Sequence, residues 1–290
     1  MNNEFYLKEM ISYIKEDYKI FENIQEEMVL IFKIFHDICK KYNIKYFLAY
    51  GSLIGEIRDS GLVPWDSDID VCIPYNELEV LIEALKKELP SEYFWDCDLN
   101  DKYPYFELRI GKVGYNLDYF HFDVFYMIGA PEKEKLKEFR AQIIKLFNIR
   151  FEKCQSMKNF SESEENSKIK YYLKKLRSII RSKFWTMKKI NKKFNKLTKM
   201  YAYDTATNVC VFDETAYDFK KEIIEPINIR IINGKEIGLP NKVEEYLNRC
   251  YKNYKEYPSI EIRYEEYHTW LKNFKLKQGL SKLGTSYYNK

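Results

Sequence analysis

The chain has 290 residues, with 48 Lys/Arg against 44 Asp/Glu for a net charge of +4, and 26 Tyr within an aromatic content of 17%. That length suits one sizeable core, with or without an appended subdomain. Six cysteines without a C-x-x-C pair and only three histidines argue against a zinc-type cluster and fit reduced thiols in a cytoplasmic protein. The acidic N-terminal stretch argues against a signal peptide, and no run approaches the ~18 apolar residues of a membrane span.

In chain order, Phe5, Met10, Ile11, Ile14 and Tyr18 give a weak helical pattern over 4–19. A stronger one over 22–42 rests on Ile24, Met28, Ile31, Ile34, Phe35 and Ile38, with Asn43 as its stop. Tyr46–Tyr50 reads as a short strand leading into a Gly51-Ser52 turn, a place where backbone amides can approach a phosphate closely. A strand follows in which Asp68 and Asp70 share one face, with Ile69, Val71 and Ile73 on the buried side. Residues 76–89 predict a helix ended by Pro90.

Tyr105–Val113 and Tyr119–Met127 predict two further strands, the second carrying Asp123 between apolar neighbours. Residues 132–155 suggest a helix and Ser161–Ser167 a polar, acidic loop. From Lys168 to Lys199 there are 13 Lys/Arg and no acid, which leaves 35 basic against 44 acidic residues elsewhere. Leu173, Leu176, Ile180, Phe184, Met187, Phe194, Leu197 and Tyr201 lie on one helical stripe there, so 168–201 predicts one long amphipathic helix or two joined by a bend. Beyond it, Asn233-Gly234 predicts a hairpin between Ile229–Ile232 and Ile237–Leu239.

Adjacent carboxylates on a β-forming run repel unless a cation lies between them, and hard oxygen-seeking ions, above all Mg²⁺ with Mn²⁺ as its substitute, suit that arrangement. Asp123 is the expected third carboxylate from a neighbouring strand. Asp66 shares the parity of Asp68 but follows Pro64-Trp65, so it serves either the same centre or the turn.

Residues 51–70, GSLIGEIRDSGLVPWDSDID, resemble the LicD family of phosphotransferases, with its pattern G-[TS]-L-L-G-x-x-R-x-x-G-x-x-P-W-D-D-D-I-D. Ser67 stands where the family has the middle acid, at a position pointing away from Asp68 and Asp70. Asp123-Val124-Phe125 resembles the family's h-D-h-F element, and Phe106–Arg109 its K-[VL]-R element. Pro240, Tyr246-Leu247 and Tyr251 resemble its C-terminal motif, with Lys252-Asn253-Tyr254 replacing Gly-Asp-aromatic.

The resemblance implies an α/β fold, a nucleotidyltransferase-like mixed sheet flanked by helices, here with a basic helical insert. It divides the chain into an extension (1–21), a catalytic core (22–160), the insert (161–205), a C-terminal part of the family domain (206–258) and a tail (259–290). The implied reaction is Mg²⁺-dependent transfer of a phosphorylated alcohol from a CDP-activated donor to a hydroxyl of a cell-surface glycan or lipid-linked saccharide, releasing CMP. Phosphocholine is the leading group, with ribitol or glycerol phosphate second. The rivals are a nucleotidyltransferase acting on a small molecule or RNA, and a glycan- or membrane-binding protein with a decayed site. Asp68, Asp70 and Asp123 are the expected catalytic and metal-binding residues. Gly51, Ser52, Arg58 and Arg109 are expected to bind the donor, the arginines because a guanidinium meets phosphate oxygens bidentately. Tyr103, Tyr105, Tyr115 and Tyr119 are candidates for a cage around a quaternary ammonium. Phe184, Trp185 and Phe194 among the lysines favour an anionic membrane face over nucleic acid as the partner of 168–199, and so a peripheral position at the inner face of the plasma membrane.

Overall fold

The computed structural model describes residues 3–157, 184–232 and 234–281. The acidic loop 161–167, the first half of the basic segment and Asn233 lie outside them. Helix α1 (Asn3–Tyr42) runs unbroken where two helices were expected, and it stops where predicted, at Asn43 in a left-handed conformation (φ 54°). Its stripe of Phe21, Ile24, Met28, Ile31, Phe35 and Ile38 is buried.

Strand β1 (Phe47–Leu48) is followed by the short helix α2 (Tyr50–Ile54) and a π-helical turn over Gly55–Asp59. Gly51 and Ser52 are therefore helical, not part of a phosphate-cradling turn. Strand β2 (Ile69–Pro74) and α3 (Leu78–Glu88) come next, with β3 (Tyr93–Asp96), β4 (Leu108–Lys112) and β5 (Phe122–Ala130) after them. Helix α4 (Lys133–Met157) precedes α5 (Met187–Thr198), then β6 (Asn208–Val211), β7 (Asp218–Lys220) and α6 (Lys221–Ile224). Strands β8 (Asn228–Ile232) and β9 (Lys235–Leu239) form the predicted hairpin, followed by α7 (Val243–Cys250) and α8 (Ile260–Ser281).

The main sheet has seven strands, in the order β1-β2-β5-β4-β3, with β6 pairing the second half of β5 and β7 pairing β6. Only β2–β5 is parallel. This is the α/β mixed sheet flanked by helices that was expected. Both β2 and β5 are nearly continuous apolar runs, as strands covered on both faces must be. The exceptions on these strands, Asp70 and Asp123, are in register. Alternation turns them away from Ile69, Val71, Phe122 and Val124, the last two lying on the face where Phe35 of α1 meets Phe122 at 4.9 Å.

Two parts of the chain pack differently from their expected roles. Phe194 of the basic segment is buried, stacked on Phe106 at 4.5 Å and edge-on to Phe212 at 4.8 Å, so it belongs to the core and not to a lipid-facing surface. Residues 260–281, expected as a tail, form α8, whose Tyr267 and Trp270 meet Phe21 at 4.9 and 5.5 Å. Among the described residues, no helix is long and apolar enough to cross a membrane.

Candidate active site

The ends of β2 and β5 collect acidic groups at one place. Asp70 is opposite Asp123 across the parallel pair, and Arg109 is opposite Asp123 across the antiparallel β4–β5 pair. A row Asp70–Asp123–Arg109 thus crosses three adjacent strands. Asp70 is anchored through its backbone: its N–H donates to Ser52 Oγ at 2.8 Å and its carbonyl accepts from the Ala49 N–H at 2.9 Å. Ser52 is buried, so the helix that follows β1 serves to fix the Asp70 backbone.

Gly51 serves Asp66. A Cβ there would lie 2.6 Å from Asp66 Oδ2, so only glycine leaves room for that carboxylate. Asp66 Oδ1 accepts the Ser67 N–H at 3.0 Å, closing the turn, while Gln25 Nε2 donates to its carbonyl at 2.8 Å. Asp66 therefore both caps its turn and stands beside the centre. Gly55 meets the backbone of Gly61 and Val63, where a Cβ would come within 2.5 Å of the Gly61 carbonyl oxygen, and this close crossing needs a glycine.

The electrostatics are those of crowded, buried carboxylates. Burial pushes Asp66 well above the usual carboxylate range, and neighbouring Asp68 pushes it further. Asp70 is raised by burial, then by Asp68 and Asp123. Burial also raises Glu107 and Asp123, against the pull of Arg109. His121 is held down to about 3, first by burial and then by the Arg109 guanidinium, so its ring is neutral at neutral pH. Arg109 pairs with two of these acids, Glu107 and Asp123, while Asp70 lies among Asp66, Asp68, Asp123 and Glu107, an acidic cluster that a divalent cation fits. Asp68 Oδ2, Asp123 Oδ2 and a ring nitrogen of His121 lie within 4.8 Å of one another.

The two arginines expected at the donor are committed elsewhere. Arg109 is buried, with Nε 2.9 Å from Asp123 Oδ1, Nη2 2.8 Å from Glu107 Oε1, and its guanidinium 4.2 Å from the Tyr105 ring centre. Its position orients Asp123. Arg58 pairs with Asp59 at 2.8 Å, donates to the Tyr254 carbonyl at 3.1 Å and lies 4.3 Å from the Tyr257 ring centre. Tyr257 in turn bonds Asp59 and meets Trp65 at 5.7 Å. Arg58 thus clasps residues 254–257 onto the loop that carries Asp66. The four candidate cage tyrosines do not share one contact: Tyr103 and Tyr105 meet at 5.5 Å, while Tyr115 packs on Phe120 at 4.8 Å.

Glu107 and His121 were not singled out from sequence as site residues, and Tyr251 was read only as part of the C-terminal motif resemblance. Tyr251 is raised mainly by burial and next by the charge of Asp70. The sequence signal for Glu107 was the shared parity of 107 and 109 on a strand, and for His121 that of 121 and 123.

Residues 43–134, which hold every one of these carboxylates, match the family model described as LicD/FKTN/FKRP, nucleotidyltransferase domain. The chain is 26% identical over 243 residues to the lipopolysaccharide cholinephosphotransferase LicD of Haemophilus influenzae, covering 80% of this chain and 89% of that one. It is also 33% identical over 60 residues to an uncharacterized protein of Rickettsia typhi, which is 21% of this chain and 19% of that protein. A matching protein of Rickettsia prowazekii is 38% identical over 42 residues, 14% of this chain and 16% of its own. The motif, the fold and these similarities agree: residues 43–134 match the LicD/FKTN/FKRP nucleotidyltransferase domain, and the chain is similar to a LicD protein over 80% of its length.

Proposed function

We propose that this protein transfers phosphocholine from CDP-choline to a hydroxyl of a cell-surface glycan or lipid-linked saccharide precursor, releasing CMP. The observation that carries the reading is the gathering of Asp70 and Asp123, paired across two parallel strands, with Asp68 just before the first of them and Arg109 beside Asp123. The choice of choline leans on the Haemophilus relative, whose name specifies a lipopolysaccharide cholinephosphotransferase.

In this reading the acceptor oxygen attacks the phosphorus that bears choline, and the bond from that phosphorus to the CMP oxygen breaks. The acceptor proton passes to the carboxylate cluster, and CMP leaves with the bond's electron pair. Asp68, Asp70 and Asp123 would hold Mg²⁺, which when bound neutralises phosphate charge and lowers the pKa of the attacking hydroxyl. Arg109 fixes Asp123 through Oδ1 and leaves Oδ2 directed at the centre. Ser52 holds the Asp70 backbone, and Gly51 makes space for Asp66. The Arg58 clasp lays 254–257 against the same loop.

The exposed lysines of α5 support docking of this enzyme at an anionic membrane surface, where a lipid-linked acceptor resides. The decisive experiment incubates the purified protein with Mg²⁺, and in parallel with Mn²⁺, and a panel of CDP-choline, CDP-ribitol and CDP-glycerol, with CMP release as the readout. CMP released from CDP-choline in preference to the others supports the reading. Preference for an alditol donor moves the enzyme to that branch of the family, and no release from any donor refutes the reading.

A further inference from the structure

His121 immediately precedes β5 and lies two residues before Asp123, so strand parity turns its ring to the face of the carboxylates. The side chain is only 13% exposed. Its Nε2 is 3.6 Å from Asp68 Oδ2 and 3.6 Å from Asp123 Oδ2, too far for a hydrogen bond to either. Three polar atoms on three side chains therefore face one another across a gap that none of them closes. Ligands ~2.1 Å from a shared ion stand roughly 3 Å apart in an octahedron and somewhat further in a tetrahedron, close to this spacing. Asp123 cannot turn away to relieve the arrangement, because its Oδ1 is held by Arg109 at 2.9 Å.

We infer that His121 Nε2 is a direct ligand of the ion held by Asp68 and Asp123, and that this nitrogen makes the centre prefer a first-row transition ion over Mg²⁺. The inference rests on the metal-dependent reading above and specifies which atoms of this chain surround the ion. Mg²⁺ favours oxygen and sheds its water reluctantly. Imidazole suits the transition ions, whose affinity for mixed N/O sites rises from Mn²⁺ towards Cu²⁺. An all-carboxylate centre would show a weaker bias of the same sign.

The test uses the full-length protein stripped with a chelator and titrated calorimetrically with Co²⁺, Mn²⁺ and Mg²⁺, with the visible spectrum of bound Co²⁺ as a second readout. Wild type should bind Co²⁺ at least about tenfold more tightly than Mg²⁺. His121→Gln should lower Co²⁺ affinity by about tenfold or more and alter the Co²⁺ spectrum, with a smaller loss for Mg²⁺. His121→Asp, which restores an oxygen ligand, should recover Mg²⁺ binding while the Co²⁺/Mg²⁺ ratio collapses. This second variant keeps the test decisive if the glutamine form does not fold, as thermal melting will show. An unchanged Co²⁺/Mg²⁺ ratio and Co²⁺ spectrum in the folded variants would overturn the role of His121 while leaving the carboxylate centre standing. Failure of wild type to bind any of the three ions overturns both.

Discussion

Asp70 on β2 and Asp123 on β5 stand directly opposite each other in a parallel register, two carboxylates at adjacent positions of two strands that are otherwise mostly apolar. Like charges in that relation destabilise the fold unless something positive answers them. Arg109 answers Asp123. Neither a salt bridge nor a cationic side chain within hydrogen-bond reach is found for Asp70 among the described residues. Its carboxylate stands against Asp68 and Asp123 with no such answer.

Asp70→Asn should therefore abolish transfer while preserving the fold. The backbone bond from residue 70 to Ser52 Oγ survives the change, and the amide occupies the same volume. CMP release should drop by at least about a hundredfold, in line with removal of one electrostatic group from a reaction centre. In chelator the melting temperature should hold or rise. Turnover within a few-fold of wild type would remove Asp70 from the chemistry.

The same pair sets a pH dependence. Burial and neighbouring acids raise Asp70 and Asp66 well above their unfolded values near 4. A carboxyl raised on folding binds its proton more tightly in the native state, so it destabilises the protein at neutral pH. That penalty fades as pH falls through the folded pKa toward the unfolded one. In chelator, wild type should gain stability relative to Asp70→Asn on acidification from pH 7.5 to 5, read as a difference between two melting curves. A difference that stays flat across that window would contradict the crowding.

Much of this centre was legible in the sequence, because its placement follows from local rules. Strand parity linked Asp68 to Asp70, the apolar flanks marked Asp123, and Asn43 and Asn233-Gly234 marked a helix end and a hairpin. What escaped depends on long-range register. Whether Arg109 meets a phosphate or Asp123 is decided by the antiparallel alignment of β4 on β5, which pairs 109 with 123. Likewise Gly51 reads as a turn glycine, yet the reason for it is an Asp66 side chain fifteen positions on, whose carboxylate fills the space of a Cβ. Phe194 reads as one aromatic on a basic helix, and only the folded sheet supplies Phe106 and Phe212 to bury it.

Arg109→Ala should be among the most damaging single changes. It leaves Asp123 and Glu107 buried without their shared cation, and breaking a buried pair on one side costs about 3–5 kcal/mol. Arg109→Lys keeps the charge but cannot reach both carboxylates with a planar fork, so an intermediate loss is expected. Denaturant melts of both variants check this order. Equal stability of wild type and the alanine form would show that the ion pair is not holding the site.

Arg58→Lys separates a clasp from a donor contact. The guanidinium holds Asp59 on one side and the Tyr254 carbonyl on the other, beneath the Tyr257 ring. Lysine cannot span these partners, so amide hydrogen exchange over 254–258 should rise and turnover should fall. Calorimetry with CDP should show a smaller change than the exchange does. Unchanged exchange together with a large loss of CDP affinity would instead return Arg58 to the diphosphate.

The basic helix α5 presents two different sides. Met187, Ile190, Phe194 and Leu197 are buried, while Lys188, Lys189, Lys192 and Lys196 are exposed and Lys193 donates to Gln142 Oε1 at 2.6 Å. The outer lysines can therefore be reversed without touching the packed side. Each Lys close to an anionic bilayer contributes on the order of 1 kcal/mol, screened over roughly 8 Å at physiological salt. Wild type should sediment with vesicles rich in anionic lipid at low salt and be released as salt rises. Changing Lys188, Lys189, Lys192 and Lys196 to Glu should abolish that association and leave CMP release with a soluble acceptor intact, because these side chains lie on the outer face of the helix. Wild type that ignores anionic vesicles even at low salt would show that this surface has another purpose, and a gel-shift titration with RNA would then decide whether nucleic acid is its partner.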